Sequence, residues 1–175
     1  MEKVKGSESE FSYEDAKAMF AVADGELRRR TTRGGEVAGK KAGTLKKDGY
    51  TSIYVCGKFF QAHRVVWLLT YGNWPQCAVD HINGNRSDNR VENLRLCSLS
   101  QNQWNKKAAT SSSTGLKGVV HARCKTRFIA QIYIGGKPKY LGTFHTAKDA
   151  AHAYDKSCLQ NFGDFARPNF PKVSA

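Results

Sequence analysis

Apolar and polar positions along this chain follow two rhythms, and the changes of rhythm mark its elements. FSYEDAKAMFAVA has helical spacing at Phe11, Ala18, Met19 and Val22. Asp48-Gly49 opens a strand over Tyr50–Cys56, Gly57-Lys58 turns it, and Phe59-Phe60 begins the return. AHRVVWLLTYG then predicts a short helix with a wide apolar face (Val65, Val66, Leu68, Leu69) and Gly72 placed to end it. CAVDHI reads as a strand, NGNRSDN as a loop and RVENLRLCS as a returning strand. SQNQWNKKAA follows as a helix with Ser98 or Ser100 as N-cap.

ATSSSTG, residues 109–115, is a small-residue polar tract that predicts a linker. Beyond it the strand rhythm returns over Lys117–His121, Arg127–Ile134 and Lys139–Phe144, with a hairpin at Gly135-Gly136. The middle strand alternates: Phe128, Ala130, Ile132 and Ile134 on one face, Arg127, Ile129, Gln131 and Tyr133 on the other. TAKDAAHAYDKSCLQNFG is a helix capped by Thr146 with Asp149 three residues on. Its stripe is Ala147, Ala150, Ala151, Tyr154, Cys158 and Leu159, and Gly163 ends it. The small alanines let this helix lie close to the apolar sheet face and leave the other face exposed.

Charge changes this picture. The formal net charge is +13 over 175 residues, which predicts a polyanionic partner, with nucleic acid ahead of a membrane surface. Apolar residues make up 40%, enough to bury a core. No apolar run has the length of a membrane span and MEKVKGSESE has no signal core, so a cytoplasmic protein is expected. RRRTTRGGEVAGKKAGTLKK, with Arg28, Arg29, Arg30, Lys40 and Lys41, is either a solvated linker or an arm lying along phosphates. The five cysteines are scattered and form no CxxC pair, which speaks against a thiolate zinc site or a disulfide framework.

A strand, loop, strand and helix carrying Asp80, His81, Asn93 and Asn102 has the makings of phosphodiester chemistry. A carboxylate and an amide oxygen are hard ligands that suit Mg²⁺ with most of its water shell retained. A neutral imidazole takes a proton from water near pH 7. On a regular strand Asp80 and His81 point to opposite sides, so joint action requires a bend, expected at Ile82-Asn83-Gly84-Asn85. His63 is expected to be structural or a phosphate contact. Asn105 is the alternative amide ligand, one turn from Asn102.

These residues, from about Tyr50 to Lys107 and including AHRVVW, resemble the HNH (ββα-metal) endonucleases in their Asn-terminated, phage homing form. The resemblance implies that Asp80 and Asn102 hold one divalent metal, that His81 is the general base, and that Asn93 pins the loop which orients it. Asn102 stands where other HNH motifs have a last His, which favours Mg²⁺ or Mn²⁺ over Zn²⁺.

In the second unit a basic, aromatic sheet face fits a DNA major groove. Arg123, Lys125 and Arg127 are candidates for phosphates or guanine edges, and Gln131, Tyr133 and Tyr140 for bases or sugars. Lys117 and Lys139 add to the basic set. LKGV, YLGTF, TAKDAAHAYD and ARPNF resemble an AP2/ERF DNA-binding domain, with Tyr140 and Phe128 where Trp is common and Val120 at a frequent Arg position. The expected fold class is α+β, an HNH ββα-metal unit followed by an AP2-like three-stranded antiparallel sheet packed on one helix. The expected boundaries are 1–49 for an N-terminal helix and basic segment, 50–108 for the nuclease unit, 109–114 for a linker and 115–171 for the DNA-binding domain. The expected activity is site-directed, metal-dependent nicking of double-stranded DNA by a monomer, without a small-molecule cofactor. A non-catalytic DNA-binding regulator is the alternative, and an RNA-directed or nonspecific nuclease a third, disfavoured because A-form RNA hides its major groove.

Overall fold

The computed structural model describes residues 10–32, 35, 37–108 and 112–170. The first nine residues, Arg33, Gly34 and Glu36 of the basic segment, and residues 109–111 of the expected linker lie outside it. The chain divides into two units, 1–99 and 100–175, each described by itself.

In the first unit, helix α1 (Tyr13–Met19) starts at Ser12, whose hydroxyl accepts from the Asp15 N–H at 3.1 Å while the Asp15 carboxylate accepts from the Ser12 N–H at 3.2 Å. The helix stops at Met19, short of the expected Val22. Phe20–Ala23 forms strand β1 and pairs with β2 (Glu26–Arg29) through a turn in which Asp24 and Gly25 both have positive φ, 52° and 74°. An Asp-Gly pair suited to this turn makes a hairpin more stable than a further helical turn. Gly25 is needed for space as well: a Cβ there would lie 2.4 Å from the Arg90 nitrogen.

The basic segment is ladder-bonded where it is described. Arg29 N–H donates to Lys40 O, Gly39 N–H to Arg29 O, and Ala42 N–H to Leu27 O. Next come β3 (Thr44–Leu45), β4 (Thr51–Val55) and β5 (Lys58–Gln61) in one antiparallel sheet of that order. Helix α2 (Ala62–Tyr71) ends as expected at Gly72, φ 79°, whose N–H donates to Leu68 O. Its apolar face, Val65, Val66 and Leu68, is buried with Phe11, Phe20, Ile53 and Phe60 in one core. Arg64, on the same helix, donates to the carbonyls of Cys77 and Pro75 at 3.0 and 3.2 Å and so ties α2 to the approach to the next hairpin. That hairpin is β6 (Ala78–His81) with β7 (Leu94–Cys97). Helix α3 (Leu99–Trp104) follows and spans the unit boundary.

In the second unit β8 (Val119–His121), β9 (Phe128–Ile134) and β10 (Lys137–Phe144) form an antiparallel sheet with β9 central. A bulge lies between Tyr140 and Gly142. Helix α4 (Ala147–Phe162) is capped by Thr146, whose hydroxyl accepts from the Asp149 N–H at 3.1 Å, and Gly163 ends it. Val119, Ala130, Ala150 and Ala151 pack together, and Ile132, Tyr154, Cys158 and Phe162 continue the core. Leu159, expected in the stripe, is 39% exposed, because Phe162, four residues after Cys158, occupies the buried side of the last turn. Gly118 brings the chain against Tyr154 so closely that a Cβ would lie 2.0 Å from its ring. Buried Asp155 accepts from the N–H groups of Asn169 and Phe170 at 2.7 and 2.9 Å, which fastens the closing NF of ARPNF to α4. Among the described residues no helix is long and apolar enough to cross a membrane.

Candidate active site and nucleic-acid face

The β6–β7 ladder pairs Asp80 with Arg95 and His81 with Leu94, so the strand stays regular to its last residue. Successive side chains on a regular strand leave by opposite faces. Asp80 accordingly lies on the Arg95 face, where its Oδ2 accepts from Nε and Nη2 of Arg95 at 2.9 and 2.8 Å. His81 leaves by the other face. The bend expected at residues 82–85 begins only after His81, with the Ile82 N–H donating to Asn93 O and the Gly84 N–H to His81 O, so it does not swing the imidazole to the Asp80 side.

His81 is 3% exposed, and its Nε2 lies 2.9 Å from Oδ1 of Asn89. An amide oxygen only accepts, so Nε2 carries the proton and the basic lone pair is on Nδ1. Burial pushes the imidazole pKa below its ordinary value, against the Asn89 hydrogen bond and the Asp80 and Asp88 charges, which raise it. The ring is therefore neutral at pH 7, the form a proton acceptor requires.

The loop is held from inside by Asn93. Its Oδ1 accepts from the Asn83 N–H at 3.0 Å, and its Nδ2 donates to Asn83 Oδ1 at 3.1 Å and to Asp88 O at 2.7 Å. Asp88 braces the same turn by accepting from Asn83 Nδ2 at 2.8 Å and from Nε and Nη2 of Arg90, both at 2.9 Å. The Arg90 bonds hold its carboxyl well below the usual carboxylate range. From outside, Arg86 donates to Asp48 O at 2.8 Å and covers the Tyr50 ring, and the Gly25 turn abuts Arg90.

Asn102 lies on α3, with Asn105 just beyond it and buried, in the part of the chain that belongs to the second unit. As donors for a divalent cation, a buried carboxylate and amide oxygens are of the right hardness, and Asp80 already attracts a cation in Arg95. Sequence reading passed over Asn89 and Arg95. Asn89 is one of several turn-forming residues in SDN, whereas Arg95 follows from counting the ladder back from Asp80.

Of the basic segment, Arg28 and Lys41 pair with Glu26 at 3.3 and 2.6 Å, and Arg30 donates to Phe20 O at 2.8 Å. The Arg29 guanidinium lies 5.4 Å over the Phe20 ring, and Lys40 is exposed. On the second unit's sheet, register puts Gln131 with Tyr140, and Val120 with Ile129 and Thr143, on the face away from α4. Tyr133 shares that face, and Tyr140 Oη lies 2.8 Å from Thr143 Oγ1. Arg123, Lys125 and Arg127 are exposed on the β8–β9 turn at its end. The other two basic candidates are not on this face. Lys139 pairs with Ile132 and so belongs to the α4 side, while Lys117 donates through Nζ to Trp104 O, and burial lowers its pKa.

Residues 60–104 match the HNH endonuclease family. The chain is 35% identical to an uncharacterized HNH endonuclease of Acanthamoeba polyphaga mimivirus over 71% of this chain, a match that spans 65% of that protein, just under two thirds of its length. It is 32% identical to protein 3.8 of Escherichia phage T7 over 63% of this chain and 93% of the phage protein. It is also 36% identical to the dehydration-responsive element-binding protein 2A of Arabidopsis thaliana over 35% of this chain and 22% of that protein.

Proposed function

Because the chain belongs to the HNH endonuclease family, we propose that it is a site-directed endonuclease which hydrolyses a phosphodiester bond in duplex DNA, nicking as a monomer in the manner of homing enzymes. One observation carries the proposal: the buried, neutral His81 is held by Asn89 in the Nε2–H form beneath a loop that Asn93 pins. In this mechanism His81 accepts a proton at Nδ1 from the attacking water. Asn89 keeps the tautomer fixed through the step, and the Asn89 oxygen stabilises the imidazolium that forms. Asp80 and Asn102 would hold a divalent cation, Mg²⁺ or Mn²⁺, which when bound supplies positive charge to the phosphate and the leaving oxygen. Because Asp80 and His81 leave β6 by opposite faces, both would serve one phosphate only where it lies across the end of that strand. The exposed face of Gln131, Tyr133 and Tyr140, with Arg123, Lys125 and Arg127, would place the second unit in a major groove, and Arg29, Lys40 and the rest of the basic segment would add phosphate contacts.

A second reading, a DNA-binding regulator without cleavage, is favoured by the Asp80–Arg95 ion pair, which already neutralises the carboxylate a metal would use. Cleavage of supercoiled plasmid and phage genomic DNA, by wild-type and His81→Ala protein with Mg²⁺ or EDTA, separates the two. Relaxed product from wild type with metal alone is expected. Binding without cleavage by both proteins would overturn the endonuclease.

A further inference from the structure

His63 is fully buried, 3% exposed, and has no part in the mechanism above. Its ring meets His81 edge to face, with centroids 5.0 Å apart and planes at 71°. Tyr50 closes the group, its centroid 5.4 Å from His63 and 5.9 Å from His81. The Arg86 guanidinium lies over the Tyr50 ring, 4.8 Å from its centroid, and reaches it from the loop that carries Asn89. Three rings, from α2, from β6 and from the residue just before β4, thus surround one another, and the loop is clasped to them.

The placement of His63 is rigid. It stands beside Arg64, whose two carbonyl bonds anchor α2, and before Val65 and Val66, both 0% exposed. Burial lowers its pKa to about 3, so its ring is uncharged at neutral pH and presents no cation to a neighbour that must itself gain a proton. A hydrogen bond at Nε2 fixes one point of the His81 imidazole but leaves the ring able to rotate about it. An edge-to-face neighbour fixes its plane.

We propose that His63 is a positioning residue for His81, holding the imidazole in the plane in which Nε2 meets Asn89 and Nδ1 faces the water it deprotonates. This rests on His81 being the base. The test compares His63→Phe, which keeps an aromatic edge, with His63→Leu, which fills the space without one. Plasmid nicking with Mg²⁺ gives kcat and KM, thermal melting reports folding, and ¹⁵N-resolved imidazole spectra report the His81 tautomer.

His63→Phe is expected to stay within about threefold of wild-type kcat. His63→Leu, at a similar melting temperature, is expected to lose roughly 10- to 100-fold in kcat at unchanged KM, the scale of a small misplacement of a catalytic group. Its His81 signals should move from the Nε2–H pattern toward a mixture of tautomers. Equal kcat in the two variants would overturn the proposal, as would a loss shared by both in proportion to their melting temperatures. If wild type cuts no DNA, the endonuclease reading fails separately. The spectra then decide alone, and an unchanged His81 tautomer in His63→Leu refutes the positioning.

Discussion

Asn93→Ala isolates the contribution of the loop to catalysis. The change deletes three hydrogen bonds, to the Asn83 N–H, Asn83 Oδ1 and Asp88 O, from a side chain that is 7% exposed. At roughly 1 kcal/mol net for each bond, about 3 kcal/mol of loop order is lost. None of the three bonds reaches His81 itself, so any effect on it passes through the Asn83–Asn89 loop. If that free energy falls on the conformation that presents Asn89 to His81, the cleavage rate drops roughly 100-fold, since about 1.4 kcal/mol is one decade. Single-turnover nicking of supercoiled plasmid measures the rate, and fluorescence anisotropy with duplex DNA shows whether affinity is retained, as expected. Melting should fall by roughly 6 to 12 °C for a chain of this size. A variant that melts lower yet nicks within threefold of wild type would refute the link between loop pinning and the base.

Gly118→Ala places a Cβ 2.0 Å from the Tyr154 ring at a φ of +73°. It should destabilise the second unit by about 2–5 kcal/mol, checked by denaturant melts. His63 titrates near 3 when folded and at its ordinary 6.5 when unfolded, so between those values the unfolded chain binds the extra proton. Stability should therefore rise with pH up to about 6.5, by at most about 1.4 kcal/mol per pH unit from this group, and the pH dependence of urea unfolding should be shallower in His63→Phe. Lys125→Ala, on the exposed β8–β9 turn, should weaken duplex binding across sequences and reduce the slope of log affinity against log salt by about 1, read from titrations at several salt concentrations.

Much of this protein was legible from pattern alone. The alternation of Phe128, Ala130, Ile132 and Ile134 gave the buried side of β9, and Thr146, Gly72 and Gly163 marked helix ends, because these are local effects of period, φ and capping. Where the reading failed, a local preference met a non-local partner. Phe20–Ala23 has a helical look, yet pairs with Glu26–Arg29 across an Asp-Gly turn. The basic run leaves a solvated linker and an arm along phosphates both open, and only the fold shows that its described part bonds back onto β2. Asp80, His81, Asn93 and Asn102 are candidates by residue type and by the HNH resemblance. Only tertiary structure decided that Arg95 faces Asp80, that Asn89 reaches His81, and that His63, eighteen residues earlier, lies against its ring. Residue type and spacing determine what a side chain is able to do. Which partner it meets depends on the register and packing of elements distant in sequence, and those emerge only when the chain folds.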